Sequence, residues 1–274
     1  MKHNKPAVDP RNTLNELANR EWMMQTKSVW FSRPPQRDKL KAQHPATFAE
    51  SDIVRLIEFF TKPGATVLDP FVGSGSTLVA CVRTGRSGVG IELVEHWAGI
   101  ARQRLDAEQM GSEQRILTGD AREMMTGIDD ESVDFIVTSP PYWSILRKDW
   151  DHKVKAERKA KGLSTRYSDD AGDLGNTESY DQFLAELGKV FVQCLRALRT
   201  RGYMCVVVSD FRHGSRFIAY HADISRLIES VGFSLEGITI LVQDSKNLYP
   251  YGIPFAFVSN IHHQYILVFR KNGH

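Results

Sequence analysis

The sequence predicts an open, doubly wound α/β domain built on a mostly parallel sheet. Two observations carry that expectation. From about residue 51, short apolar runs alternate regularly with amphipathic stretches. The runs are unbroken rather than alternating in polarity, as strands covered on both faces require. At 274 residues the chain can bury a substantial core, and its apolar (42%) and charged (25%) fractions suit a globular protein. Collagen-like, fully disordered and disulfide-scaffold classes are excluded.

Taken in order, residues 14–24 suit a helix, and Arg33-Pro34-Pro35 then breaks regular structure. Ser51 can cap a helix running to about Thr61, with Ile53, Leu56, Ile57 and Phe60 on one face. Pro63-Gly64 ends it, and residues 66–68 form a short strand. A helix over 77–84 is closed by Gly85. Strand 88–92, helix 94–105 and strands 115–118 and 133–138 come next. Helix 180–198, strand 203–208 and helix 222–231 continue the plan. Strands 234–242 and 264–269 lack an intervening helix, which predicts an antiparallel pair at one end of the sheet.

The domain organisation expected is an N-terminal arm over 1–43, then a single domain over 44–274 with a polar, basic insertion at about 144–180. The arm carries nine Lys/Arg against four acids, and residues 147–166 carry eight against three. A loop as long as this insertion is usually functional or disordered. The net charge of +2 does not by itself identify a polyanion binder, so the argument rests on how charge is distributed. Cys81, Cys194 and Cys205 stand far apart in or beside apolar runs, which suggests buried, reduced thiols and no metal site. The polar start of the chain and an apolar maximum over 203–208 point to a soluble, cytoplasmic protein without a membrane partner.

The chemistry concentrates at predicted strand ends. Asp69-Pro70-Phe71-Val72-Gly73-Ser74-Gly75-Ser76-Thr77 follows one strand and opens a helix, the setting of a glycine-rich nucleotide turn. There is no third glycine and no phosphate-binding Lys, and Asp69 suits a cationic or hydroxyl-bearing ligand better than a pyrophosphate. A plain strand–turn–helix is the alternative. Glu92 ends the next strand, 23 residues on, where an acid can accept from ribose hydroxyls. Asp120 follows the third strand and could accept from an adenine amino group. Three acids at three successive strand ends share the edge at which open α/β sheets bind ligands. The fourth strand ends in Ser139-Pro140-Pro141-Tyr142-Trp143. Its prolines remove two N–H donors, leaving main-chain carbonyls and the Ser139 hydroxyl as acceptors for a planar –NH₂ and an aromatic ring to stack on its heterocycle. A rigid turn with Tyr142 as a packing residue is the alternative.

The chain resembles the S-adenosylmethionine-dependent DNA amino-methyltransferases, the N4-cytosine/N6-adenine DNA methylase family. The similarity lies in Asp69-Pro70-Phe71-Val72-Gly73-Ser74-Gly75, the family's cofactor loop, and Ser139-Pro140-Pro141-Tyr142, its catalytic tetrapeptide. His44-Pro45-Ala46-Thr47-Phe48 is similar to the segment beside the methionine end of the cofactor. Cofactor loop before tetrapeptide is one of the family's permuted orders. The resemblance implies a seven-stranded Rossmann-like methyltransferase sheet with an antiparallel strand near one edge. It implies S-adenosylmethionine as cofactor, cradled by Asp69, Phe71, Gly73, Gly75 and Thr77, with Glu92 on the ribose, Asp120 on the adenine, and Thr47 and His44 near the methionine moiety. Trp97 would cover the adenine face or belong to the core. Ser139, Pro140, Pro141 and Tyr142 would receive an amino group of an extruded DNA base. Ser at the first position favours cytosine N4, with adenine N6 as the alternative. RNA or protein acceptors, and a silent cofactor- or nucleic-acid-binding subunit, stand behind these. Arg147, Lys148, Lys153, Lys155, Arg158 and Lys159 are expected to contact DNA phosphates. A homodimer and a restriction partner both remain open.

Overall fold

Side chains leave a strand alternately to its two faces, and here both sets are buried. Val67, Phe135, Val137, Cys205 and Val207 point to one face of the sheet, and Leu68, Ile136, Met204, Val206 and Val208 to the other. Such strands need helices on both sides, and the chain supplies them. A computed structural model describes residues 8–33, 49–108, 113–143, 172–244 and 246–273.

The elements are α1 (Asn19–Gln25), β1 (Val29–Phe31), α2 (Glu50–Phe60), β2 (Thr66–Asp69), α3 (Ser76–Thr84), β3 (Ser87–Glu92), α4 (Glu95–Asp106), β4 (Gln114–Thr118), α5 (Ala121–Met124) and β5 (Val133–Thr138). They continue with α6 (Tyr180–Ala197), β6 (Leu198–Val208), β7 (Phe211–His213), β8 (Arg216–Ile218), α7 (Tyr220–Val231), β9 (Phe233–Val242) and β10 (His263–Lys271). The sheet order is β1-β9-β10-β6-β5-β2-β3-β4. All neighbours are parallel except β10, which runs antiparallel to both β9 and β6.

The apolar stripe of α2 packs with Ala80 and Cys81 of α3 on the first face. Phe60 stacks on Phe135 there at 5.1 Å between ring centroids. Phe183, Leu187, Val190 and Phe191 of α6 join Ile224 and Ile228 of α7 on the second face. From β2 the chain winds outward through β3 to β4, then returns to the other side of β2 as β5. That reversal opens a crevice between the β2 and β5 carboxyl ends, the usual ligand position in such sheets.

Ser51 lies inside α2, whose N-cap is Ala49, and β6 begins at Leu198 rather than at 203. Three further features depart from the sequence-based expectation. The first helix begins at Asn19, because Asn12 Oδ1 accepts the Leu14 and Asn15 N–H groups and Asn15 Oδ1 accepts that of Leu17. These side chains offer the backbone an alternative to helix. The sheet has eight strands among the described residues, not seven. The eighth is β1, a three-residue strand from the basic arm that pairs with β9 and buries Trp30 under the Arg55 guanidinium. The third is the small β7–β8 hairpin between β6 and α7. The three cysteines are all buried.

Candidate active site

The turn after β2 is shaped by two left-handed glycines, Gly73 (φ 54°) and Gly75 (φ 82°). At Gly75 the reason is also steric: a Cβ there would lie 2.8 Å from the Ala101 Cβ of α4. Val72 N–H donates to the Ile91 carbonyl at 2.9 Å, and the Val72 side chain sits on Gly90, where a Cβ would come within 2.8–2.9 Å of it. The turn is thereby fastened down over β3.

Asp69 is buried at the end of β2 and fully engaged. Its Oδ1 accepts from Phe71 N–H (3.0 Å) and the Thr138 hydroxyl (2.6 Å), and its Oδ2 from the Thr77 hydroxyl (2.6 Å). Burial pushes its carboxyl up to about 6, with the three hydrogen bonds holding it back. This carboxylate ties β2, β5 and α3 together at the switch point.

Glu92 is also buried, yet it lines the cleft, and its Oε1 accepts from Val94 N–H at 2.9 Å. Asp120 caps α5 by accepting from Arg122 N–H at 2.8 Å. Burial works against its ionisation, but two-pronged pairing with the Arg122 guanidinium outweighs that and holds its carboxyl below the usual range. Arg122 reaches on to Glu186 at 2.6 Å, which fixes the pair against α6.

At the end of β5, Ser139 and Pro141 line the same cleft, with Pro140 buried between them. No hydrogen bond ties the Ser139 hydroxyl to another described residue. The Pro141 carbonyl accepts from the Tyr220 hydroxyl at 3.0 Å. The half-buried Tyr142 ring meets Phe211 edge-on at 6.0 Å and leans on Tyr220 at 5.6 Å. Its hydroxyl accepts from Ser209 N–H at 3.0 Å, and burial pushes the phenol up to about 12.

The cleft encloses about 470 Å³ of space open to solvent. Phe71, Glu92, Asp120, Ser139 and Pro141 therefore meet at one cavity, joined by Pro70, Ile91, Leu93, Gly119 and Ala121. Asp69, Gly73, Gly75, Thr77, Pro140 and Tyr142 stand outside that lining. Trp97 is buried and is not part of the lining either. His44, Thr47, Arg147, Lys148, Lys153, Lys155, Arg158 and Lys159 lie outside the described residues.

Sequence reasoning missed several contributors. Gly172, Asp173 and Leu174 close one side of the cavity, and Asp173 Oδ1 accepts from Gly175 N–H at 2.9 Å. Ser209 and Asp210, at the end of β6, sit where the other strand-end residues do, and that position was a usable signal. Asp210 Oδ1 accepts from His221 N–H at 3.2 Å and lies 2.7 Å from its ring Nδ1.

A family model described as DNA methylase, for N6/N4 methyltransferases, matches residues 2–103 and 133–274. The type II methyltransferase M2.DpnII of Streptococcus pneumoniae is 41% identical over 85 residues, 31% of this chain and 32% of that protein. The type II methyltransferase M.HpaI of Haemophilus parainfluenzae is 38% identical over 85 residues, 31% of this chain and 27% of that protein. The chain thus spans less than a third of the length of these curated relatives. A Haloferax volcanii protein, solved in complex with the Trm112 methyltransferase activator, shares the fold at a TM-score of 0.52 and 13% identity, covering 82% of this chain and 88% of that one. Among the described residues no helix is long and apolar enough to cross a membrane.

Proposed function

The chain belongs to the N6/N4 DNA methylase family, and on that premise we propose that it transfers a methyl group from S-adenosylmethionine to the exocyclic amino group of a DNA base, cytosine N4 before adenine N6. The observation that carries the reading is that Glu92 and Asp120 line one cleft together with Ser139 and Pro141 of the acceptor turn.

The lining suits the cofactor chemically. The Glu92 carboxylate favours a ligand that is cationic and rich in hydroxyl donors. Asp120, paired with Arg122, still offers acceptor lone pairs to an amino group, and the Phe71 ring adds an apolar surface. Glu92 would accept from the ribose hydroxyls and Asp120 from the adenine amino group. When bound, the cofactor supplies an electrophilic methyl on a sulfonium. Asp69, Gly73, Gly75 and Thr77 would act through the shape of the turn, since Asp69 and Thr77 are bonded to each other. His44 and Thr47 would complete the methionine end.

On the acceptor side, the lone pair of a nucleobase amine is conjugated into the ring and attacks poorly. Ser139 Oγ and the Pro140 carbonyl would accept its two hydrogens, drawing the nitrogen towards a pyramidal geometry that frees the lone pair. Alignment of nucleophile and methyl can supply about 7–11 kcal/mol of such a barrier. The base would have to leave the duplex stack to reach the cleft, at a cost of about a few kcal/mol. Tyr142, next to the lining residue Pro141, would stack on the base and offset part of that cost. The basic residues of 147–166 and of the arm over 1–43 would hold the phosphates on either side.

Incubating the protein with plasmid DNA, RNA or protein acceptors and labelled cofactor tests the reading. Nucleosides from the methylated plasmid are then identified by mass spectrometry. N4-methylcytosine is the expected product. N6-methyladenine would select the runner-up, and label in RNA or protein but not in DNA would overturn the assignment.

A further inference from the structure

The connection between β9 and β10 leaves the sheet at the carboxyl edge that also bears the cleft. β9 runs in the same direction as β5 and β6, since each of β9 and β6 is antiparallel to β10. Its carboxyl end therefore shares their edge. Ser209, beyond β6, bridges the root of the connection and the acceptor turn: it donates its N–H to the Tyr142 hydroxyl and its Oγ–H to the His263 carbonyl at 3.2 Å.

This segment is fastened rather than loose. Asn260 clamps its neck in both directions, accepting from Tyr249 N–H and donating to the Tyr249 carbonyl, each at 2.9 Å. Within it the Gly252 carbonyl accepts from Phe255 N–H at 2.6 Å and Ala256 N–H at 2.7 Å. Gly252 has φ 75°, and a Cβ there would lie 2.2 Å from the Ala256 oxygen, so only glycine closes this turn. The built turn holds apolar side chains out in solvent: Phe255 is 93% exposed, Phe257 92%, Ile253 73% and Leu248 70%. Residues 247–261 contain no Asp, Glu, Lys or Arg. Folding gains almost nothing from rings in this position, and contiguous exposed apolar surface marks an interaction site.

We propose that this crest is a wedge for duplex DNA, with Phe255 and Phe257 entering the base stack beside the extruded target base. The inference rests on the DNA methyl-transfer reading above. Extrusion leaves base faces without a stacking partner, and apolar or aromatic side chains inserted there offset the loss. The partner is a polyanion, and a crest without acids approaches it unopposed. The clamp at Asn260 and the turn at Gly252 order the rings before binding, which lowers the entropy lost on insertion.

The double variant F255S/F257S tests this in the full chain, since removing two solvent-exposed rings leaves the core intact. Wild-type protein first methylates plasmid DNA, and sequencing of the product gives the methylated context. Synthetic duplexes of that context then carry the target base either paired or opposite an abasic site. On the paired duplex the variant should be slower by about ten- to hundredfold. On the abasic duplex, already unstacked, it should return to near the wild-type rate, with cofactor affinity unchanged on both. Equal rates of variant and wild type on the paired duplex would overturn the wedge, as would equal losses on both duplexes. Conversion of a wild-type dimer to a monomer by the double substitution, with the paired-duplex rate intact, would assign the crest to a second copy of the chain instead. If wild-type protein methylates no DNA at all, the first step fails and the methyl-transfer reading falls, taking the wedge with it.

Discussion

Along the carboxyl edge of the sheet, the ends of β2, β3 and β4 carry Asp69, Glu92 and Asp120, whereas the end of β5 carries Ser139, two prolines and Tyr142. The first half is carboxylate chemistry set by the residue at each strand end. The second is neutral, and its rings come from four elements: Tyr142 beyond β5, Phe211 of β7, Tyr220 of α7 and Tyr180 of α6. Of the carboxylates near this half, Asp210 is turned to His221 and Asp223 accepts from the Tyr180 hydroxyl. On the proposed reading, the difference lets one edge take a donor-rich cation beside a flat, weakly polar ring, because opposite sides of one crevice are built from different strands. It also predicts that damage on one side changes cofactor binding while damage on the other changes turnover.

The largest effect is expected where the first half depends on close backbone approach. Gly75→Ala forces a side chain into the left-handed region and into Ala101 together, and should destabilise the fold by about 2–5 kcal/mol. Urea unfolding measures it, and a wild-type midpoint would remove the packing argument for this turn.

Asp69 supplies a sharper probe of the same half. Its folded-state value of about 6 stands above its ordinary 3.8, so the native chain holds an extra proton between roughly pH 4 and 6. The stability this group contributes is full below that window and is lost as pH rises through it. Asp69→Asn stays neutral throughout and lacks the slope. Wild-type stability relative to this variant should therefore fall by about 3 kcal/mol from pH 4 to pH 7. Parallel pH profiles would show that Asp69 ionises in an ordinary environment.

Across the crevice, Tyr142→Ala should cut methyl transfer by about a hundredfold while calorimetry finds cofactor affinity unchanged. The ring touches Phe211 and Tyr220 and lies outside the cleft lining, so the fold should lose some stability too, and turnover is compared at a temperature where the variant is fully folded. Loss of cofactor binding would merge the two halves. The smallest effect is expected from Glu92→Gln, which keeps the shape but removes a charged acceptor. Cofactor affinity should drop about tenfold with maximal turnover preserved. A turnover defect at saturating cofactor would break the comparison from the other side.

Much of the first half was legible in the chain. Strand-end acids follow short apolar runs, and the glycine turn announces itself by composition and by the helix it opens. What the chain hid was the fate of Asp69. It is an acid at a strand end as Glu92 and Asp120 are, yet the hydroxyl of Thr138, sixty-nine positions away, binds one of its oxygens. Tyr142 was legible as a stacking or a packing ring, but not that its hydroxyl is bound by Ser209, sixty-seven positions on, or that Phe211 and Tyr220 hold its ring. β1 left no trace because three residues show no period, and its partner β9 lies more than two hundred residues later in the chain.

The sequence by itself determined the alternation of strands and helices, the doubly buried sheet, the left-handed turn after β2 and the placing of chemical groups at strand ends. These follow from dihedral preference and from side-chain periods of 2 and 3.6, which act over a few neighbouring residues. Only the tertiary structure decided which acids face the cleft and which are consumed in holding it, which rings surround Tyr142, and that the crest at Phe255 shares an edge with the acceptor turn. Those outcomes depend on hydrogen-bond partners and packing neighbours brought together from distant parts of the chain. A buried polar group is satisfied by whatever the fold sets beside it, and local spacing carries no record of that neighbour.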